Sequence, residues 1–123
     1  ELKTRFRIGL VSNYPDSQVI RHSIDQLDLM RFFDAVVVSG DVGHVKPHPK
    51  VFETIVNAIE TDPTRCLFVG DNWLGDIQGA RRCGMRAVFT TEFVPYEKFD
   101  REPGDFDACA TITKLDELRE LLA

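Results

Sequence analysis

The segment Leu67-Phe68-Val69-Gly70-Asp71-Asn72-Trp73-Leu74-Gly75-Asp76-Ile77, continuing to Gly84, restricts the fold more than any other part of the chain. Three apolar residues run into Gly-Asp, a second Asp follows at 76, and Ile77, Ala80 and Met85 then recur at helical spacing. This pattern predicts a buried strand, a tight loop and a helix. In an open parallel α/β sheet, ligands bind in the crevice beyond the carboxyl ends of the strands, so Asp71 and Asp76 fall where chemistry is expected. Two hard oxygen donors in one loop suit Mg²⁺, which takes one or two carboxylates, several waters and a phosphate oxygen. A plainer role is equally open on this stretch alone: Asp71 closing a strand and Asp76 capping a helix.

The flanking segments repeat the alternation of strand and helix. Arg7-Ile8-Gly9-Leu10-Val11-Ser12-Asn13 is an apolar run that delivers Ser12 and Asn13 to a loop. Asp16 or Ser17 caps a helix with Val19, Ile20, Ile24 and Leu27 on its inner face. Leu29 to Phe33 reads as an apolar connector, and Ala35-Val36-Val37-Val38-Ser39-Gly40 as a parallel strand buried on both faces. The loop from Asp41 to Pro49 contains Lys46-Pro47-His48-Pro49, whose two prolines stiffen the backbone around the lysine. From Lys50 a helix turns Val51, Phe52, Ile55, Val56 and Ile59 inward, and Thr61-Asp62-Pro63 closes it. Beyond the central segment, Arg86 to Thr90 is another buried strand and Glu92 to Phe106 an irregular loop. Cys109 to Ile112 is a short edge strand, and a closing helix over Leu115 to Leu122 turns Leu115, Leu118, Leu121 and Leu122 inward. The fold class is therefore α/β, a doubly wound parallel sheet, with residues 1–123 forming a single domain.

Composition narrows the partners. A net charge of -5 offers no basic footprint, which argues against nucleic acid or an anionic membrane surface. No apolar run approaches a membrane span, and no signal peptide is visible. Three cysteines, Cys66, Cys83 and Cys109, without CxxC spacing read as reduced thiols of a cytoplasmic protein.

Strand ends in a parallel sheet converge on one edge, so Ser12, Asn13, Lys46, Asp71 and Asp76 can meet although they are far apart in sequence. A hydroxyl donor, an ammonium and two carboxylates on Mg²⁺ make a phosphate site, because a phosphoryl group needs its charge neutralised and its oxygens oriented. Here the chain resembles the haloacid dehalogenase superfamily of hydrolases, in particular its phosphatase-like members. Leu10-Val11-Ser12-Asn13 resembles that family's second motif, Val45-Lys46-Pro47-His48-Pro49-Lys50-Val51-Phe52 its third, and Phe68 to Ile77 its fourth. The resemblance, which runs from about Arg7 to Leu122, implies a Mg²⁺-dependent phosphate monoester hydrolase acting on a small phosphorylated metabolite. It implies that Ser12 and Asn13 bind the phosphoryl group, that Lys46 steadies nucleophile and phosphate, that Asp71 binds Mg²⁺ directly, and that Asp76 supports the metal or the lysine.

The family's first motif, an apolar strand ending in Asp-x-Asp, has no counterpart. Asp105-Phe106-Asp107 follows Pro103-Gly104 and reads as surface loop. Family strand order places that strand between those ending at Ser12 and Gly70, and without it two apolar edges stand unpaired. The expectation is a partial core domain, cut at Glu1, with the nucleophile strand and the cap upstream, and inactive by itself. A non-catalytic binding or scaffold module and a 2-haloacid dehalogenase are the alternatives. Dehalogenase relatives need no metal and lack the second Asp, which favours phosphoryl transfer. A response-regulator-like phospho-acceptor would need an acidic cluster where Ser12-Asn13 stands. His44 and His48 flank Lys46 without acidic or Cys partners at ligand spacing, so His48 is expected to shape the loop. Trp73 packs on the helix or faces substrate, and Asn72 supports the metal loop or forms a turn. Phe93, Tyr96 and Phe99 are expected to cover the core, whereas an exposed patch there would mark a homodimer contact.

Overall fold

The structure is a computed structural model that describes residues 1–94 and 105–123. They gather into two compact units, Glu1–Thr61 and Asp62–Ala123.

In the first unit, β1 (Gly9–Ser12) pairs in parallel with β2 (Ala35–Val38), Gly9 opposite Ala35 and Ser12 opposite Val38. Between them runs α1 (Ser17–Gln26), whose first turn is capped by Asp16: its carboxylate accepts the Gln18 N–H at 2.9 Å. The β-branched run stops as a strand at Val38, two residues earlier than its composition predicts, and Ser39–Val42 forms one helical turn, α2, inside the expected loop. The turn ends at Gly43, whose φ of 82° is the left-handed conformation that glycine adopts without a Cβ clash. α3 (Pro49–Ala58) follows, with Pro49 in its first turn, where a missing N–H costs nothing. Val51, Phe52, Ile55 and Val56 are buried as their spacing predicts. Arg7 donates to the Ile59 carbonyl at 2.6 Å, which sets a cation at the carboxyl end of α3.

The second unit holds β3 (Leu67–Gly70), β4 (Arg86–Thr90) and β5 (Ala110–Ile112), all parallel, in the order β3-β4-β5. β4 is buried from Ala87 to Thr90, as a central strand should be. β3 is only half-buried along its length, and so is most of β1. Each lies at an edge of its own sheet. A π-helical turn over Trp73–Gln78 leads into α4 (Gly79–Arg82), and Ile77, Ala80 and Met85 pack inward as expected. The Trp73 ring meets Phe89 edge-on, centroids 5.4 Å apart, so Trp73 packs in the core.

Three amphipathic readings change. On α1 only Ile24 is fully buried, while Val19 and Leu27 are exposed. The closing segment is a 3₁₀ turn, Leu115–Glu117, followed by α5 (Leu118–Leu121), and only Leu118 is buried; Leu115 and Leu121 face solvent. Phe93 is 72% exposed and covers no core; Tyr96, Phe99 and Pro103-Gly104 lie outside the described residues. Asp105 and Asp107 are exposed and outside any strand, as a surface loop requires.

The entrance to β1 and β2 is fixed by Asp34. Its carboxylate pairs with the Lys3 ammonium and accepts the Ile8 N–H at 2.7 Å, while its own N–H donates to the Ile8 carbonyl at 2.7 Å. The Lys3 hydrogen bond first, then that of Ile8, holds the Asp34 carboxyl below its ordinary value of 3.8. A depressed carboxyl pKa adds stability above the unfolded-state value and loses it as pH falls through the folded-state value. Asp34→Ala should therefore lower the urea midpoint at pH 7, and the deficit relative to the unmodified protein should shrink by about pH 3. A deficit independent of pH would remove the charge contribution.

Candidate active site

Ser12 ends β1 half-buried, and Asn13 follows it exposed. The chain then turns, and its main-chain groups need partners that no strand supplies. Asn13 meets this need for Lys46: its Nδ2 donates to the Lys46 carbonyl at 3.2 Å, and the Lys46 N–H donates to Asn13 Oδ1 at 2.9 Å. Ser39, 4% exposed, does the same for Tyr14: the Tyr14 N–H donates to Ser39 Oγ at 2.9 Å, and Oγ donates back to the Tyr14 carbonyl at 3.1 Å. The Gly40 N–H adds a second bond to that carbonyl at 2.9 Å, and a Cβ on Gly40 would overlap the Pro15 carbonyl. The loop after β1 is thus pinned to the end of β2 and to the lysine loop. Sequence reasoning missed Ser39 and Gly40; the signal was a small polar pair closing a β-branched run.

Lys46 is half-buried, and its peptide bond to Pro47 is cis. His48 shapes the loop, as expected. Its N–H donates to the Val45 carbonyl at 2.9 Å, its Nδ1 accepts the Lys50 N–H at 3.1 Å to cap α3, and its ring stacks on His44 with centroids 3.7 Å apart. The first unit therefore brings Asn13, next to Ser12 in the chain, onto Lys46.

The second unit presents the two carboxylates in different settings. Asp71, directly after β3, is exposed, whereas Asp76 is 4% exposed inside the π-helical turn. The Asp76 carboxylate accepts the Asn72 N–H at 3.0 Å, and its N–H donates to the Asn72 carbonyl at 2.9 Å. Ile77 also donates to that carbonyl, at 3.3 Å, five residues back, which is the π spacing. Asn72 supports the loop, as anticipated, by accepting the Gly75 N–H on its side-chain oxygen at 2.7 Å. The capping role considered for Asp76 therefore falls to Asn72.

This donor set fits Mg²⁺: an exposed carboxylate and a buried, hydrogen-bonded one in a single loop suit an ion that keeps waters and a phosphate oxygen. Among the described residues no group of three or more His, Cys, Asp and Glu gathers as a closed metal cage would require. Also among them, no helix is long and apolar enough to cross a membrane.

A parallel α/β fold with a Ser-Asn strand end, a clamped lysine loop and a two-carboxylate loop defines a class, and comparison with known proteins supplies the family. The family model for haloacid dehalogenase-like hydrolases matches residues 1–90, and the chain belongs to that family. Glyceraldehyde 3-phosphate phosphatase of Pyrococcus furiosus is 36% identical over 97 residues, covering 79% of this chain and 40% of that protein. The crystal structure of a phosphatase of the family from Thermococcus onnurineus superposes with a TM-score of 0.82 at 30% identity, covering 99% of this chain and 53% of that one. A 2-haloacid dehalogenase from Pseudomonas syringae pv. Tomato superposes with a TM-score of 0.81 at 26% identity, covering 98% and 48%. The chain spans between 31% and 54% of the length of these and other curated relatives that it matches.

Gly70 lets Asp76 pack where it does, since a Cβ there would overlap the Asp76 side chain. Gly70→Ala should cost about 1–3 kcal/mol through overpacking. Gly75→Ala should cost less, because its Cβ would lie 3.2 Å from Asn72 Oδ1. Urea denaturation of the two variants checks the order; equal midpoints would contradict the close approach.

Proposed function

We propose that the protein to which this chain belongs is a Mg²⁺-dependent phosphate monoester hydrolase acting on a small phosphorylated metabolite. The observation that carries the reading is the pairing of Asn13, the residue after Ser12, with Lys46, in a chain whose relative from Pyrococcus furiosus is a phosphatase. Ser12 and Lys46 hold the phosphate, the hydroxyl donating to a phosphoryl oxygen and the ammonium offsetting its charge, with Asn13 bonded to Lys46 beside them. In the second unit Asp71 is the direct ligand of Mg²⁺ and Asp76 supports its loop. When bound, the metal neutralises phosphate charge and orients the ester.

The attacking carboxylate belongs to a segment outside residues 1–123, and these residues by themselves are inactive. Hydrolysis proceeds by transfer of the phosphoryl group from the ester oxygen to that carboxylate, with release of the alcohol. Water then cleaves the acyl-phosphate to give inorganic phosphate and the free carboxylate. The half-buried, apolar edge of β1 in one unit and of β3 in the other support pairing with a further strand from outside residues 1–123, because such edges are a liability unless paired. With that strand, residues 1–123 form part of one core domain. The exposed Asp71 favours phosphoryl transfer over dehalogenation, which makes no use of a metal carboxylate.

Asp71→Asn in the whole protein should abolish Mg²⁺-dependent hydrolysis of p-nitrophenyl phosphate, a loss of at least about 10²-fold in kcat, with the fold retained. Undiminished turnover would refute the metal assignment, and turnover of 2-chloropropionate without added metal would favour the dehalogenase.

A further inference from the structure

We propose that Asn13 is a positioning residue: it acts on substrate only through Lys46, whose main chain its carboxamide clamps at both polar groups. The inference rests on the phosphate-holding role of Lys46 proposed above and specifies how the residue beside Ser12 serves it.

A primary amide carries a donor and an acceptor at the spacing of a peptide group, so one asparagine can replace a strand neighbour for one residue. Asn13 does this across 33 positions of sequence, with bonds of 2.9 and 3.2 Å to Lys46 N–H and C=O. Lys46 lies between α2 and α3, outside any helix or strand. The downstream side of its loop is fixed separately, through the His48 N–H on the Val45 carbonyl and the His48 imidazole on the Lys50 N–H. Asn13 alone among these anchors grips Lys46 itself. It does so from the position after Ser12, so one short stretch carries the phosphate-binding hydroxyl and sets the base of the lysine side chain. That stretch is immobilised by Ser39 and Gly40 on Tyr14. The clamp thereby fixes the Lys46 main chain relative to the stretch that carries Ser12, so the ammonium starts from a set origin when hydroxyl and ammonium take two phosphoryl oxygens.

The test is a double-mutant cycle in the whole protein: Asn13→Ala, Lys46→Met and both together. Turnover of p-nitrophenyl phosphate and the calorimetric Kd of inorganic phosphate are measured with Mg²⁺ present, and the unfolding midpoint of each variant is recorded. Asn13→Ala should lower kcat/KM about 10–100-fold, mostly in kcat. The double variant should match Lys46→Met within about twofold, because a clamp has nothing to position once the ammonium is gone. Multiplying effects would mean that Asn13 touches substrate itself, and would overturn the proposal. A lowered unfolding midpoint with unchanged kcat would overturn it too, as a purely structural role. Lys46→Met with full activity would instead remove the phosphate-site reading, and the inference with it. If the alanine variant does not fold, Asn13→Asp, which keeps the acceptor for the Lys46 N–H, replaces it in the same cycle.

Discussion

Main-chain N–H and C=O groups in the turns that follow parallel strands have no ladder partner, yet leaving them unsatisfied in a packed loop costs about as much as a lost hydrogen bond. This chain answers the requirement with side chains that bond to a distant main chain in both directions. Asn13 grips Lys46, Ser39 grips Tyr14, and in the second unit the fully buried Gln78 grips Phe106, donating to its carbonyl at 2.5 Å and accepting its N–H at 3.0 Å. Each such pair converts an irregular segment into one with a fixed position, at sequence separations from 25 to 33 residues. The lysine loop and the turn after β1 are therefore tied down by side-chain bonds where no strand ladder reaches them.

The sheets supply the frame on which those clamps act. Register in the first unit sets Ser12 beside Val38, so Asn13 and Ser39 leave the sheet at the same level and their turns can be tied together. In the second unit β4 is buried between two neighbours while β3 is half-buried at an edge, although both are apolar. Burial of a strand depends on the number of its neighbours as well as on its side chains, which is why composition alone predicts β3 and β4 to be equivalent.

The same distinction explains what could be read in the sequence. Strands rich in β-branched and aromatic residues, Val36 to Val38 and Val88 to Thr90, were legible, as was α3, whose inner face is apolar at every expected position. The helical faces of α1 and the closing segment were not. Val19, Leu27, Leu115 and Leu121 have the correct spacing, but spacing identifies a face without showing that anything lies against it. The turn at Ser39–Val42 was not legible, because Ser-Gly-Asp suits a strand end or a loop equally and the choice after Val38 rests on the tertiary bonds of Ser39 and Gly40. For the site, residue types and order pointed to Ser12, Lys46, Asp71 and Asp76; the partner of Asn13 was not legible, since a clamp across 33 positions leaves no local pattern.

The two acids of the fourth motif look alike in sequence and differ in physical character. A carboxylate removed from water loses several kcal/mol of solvation unless donors replace it, and Asp76 meets this with the Asn72 N–H and the close approach that Gly70 permits. The π-helical spacing is what makes the arrangement fit: the Asn72 carbonyl receives both the Asp76 and the Ile77 N–H, which draws the turn around the buried acid. Asp71, one residue beyond Gly70, remains in water and keeps its lone pairs for an incoming cation. A single loop thus separates two tasks that one carboxylate cannot perform together. The buried acid fixes the main chain, and the exposed acid is left in water, where the proposed Mg²⁺ would meet it.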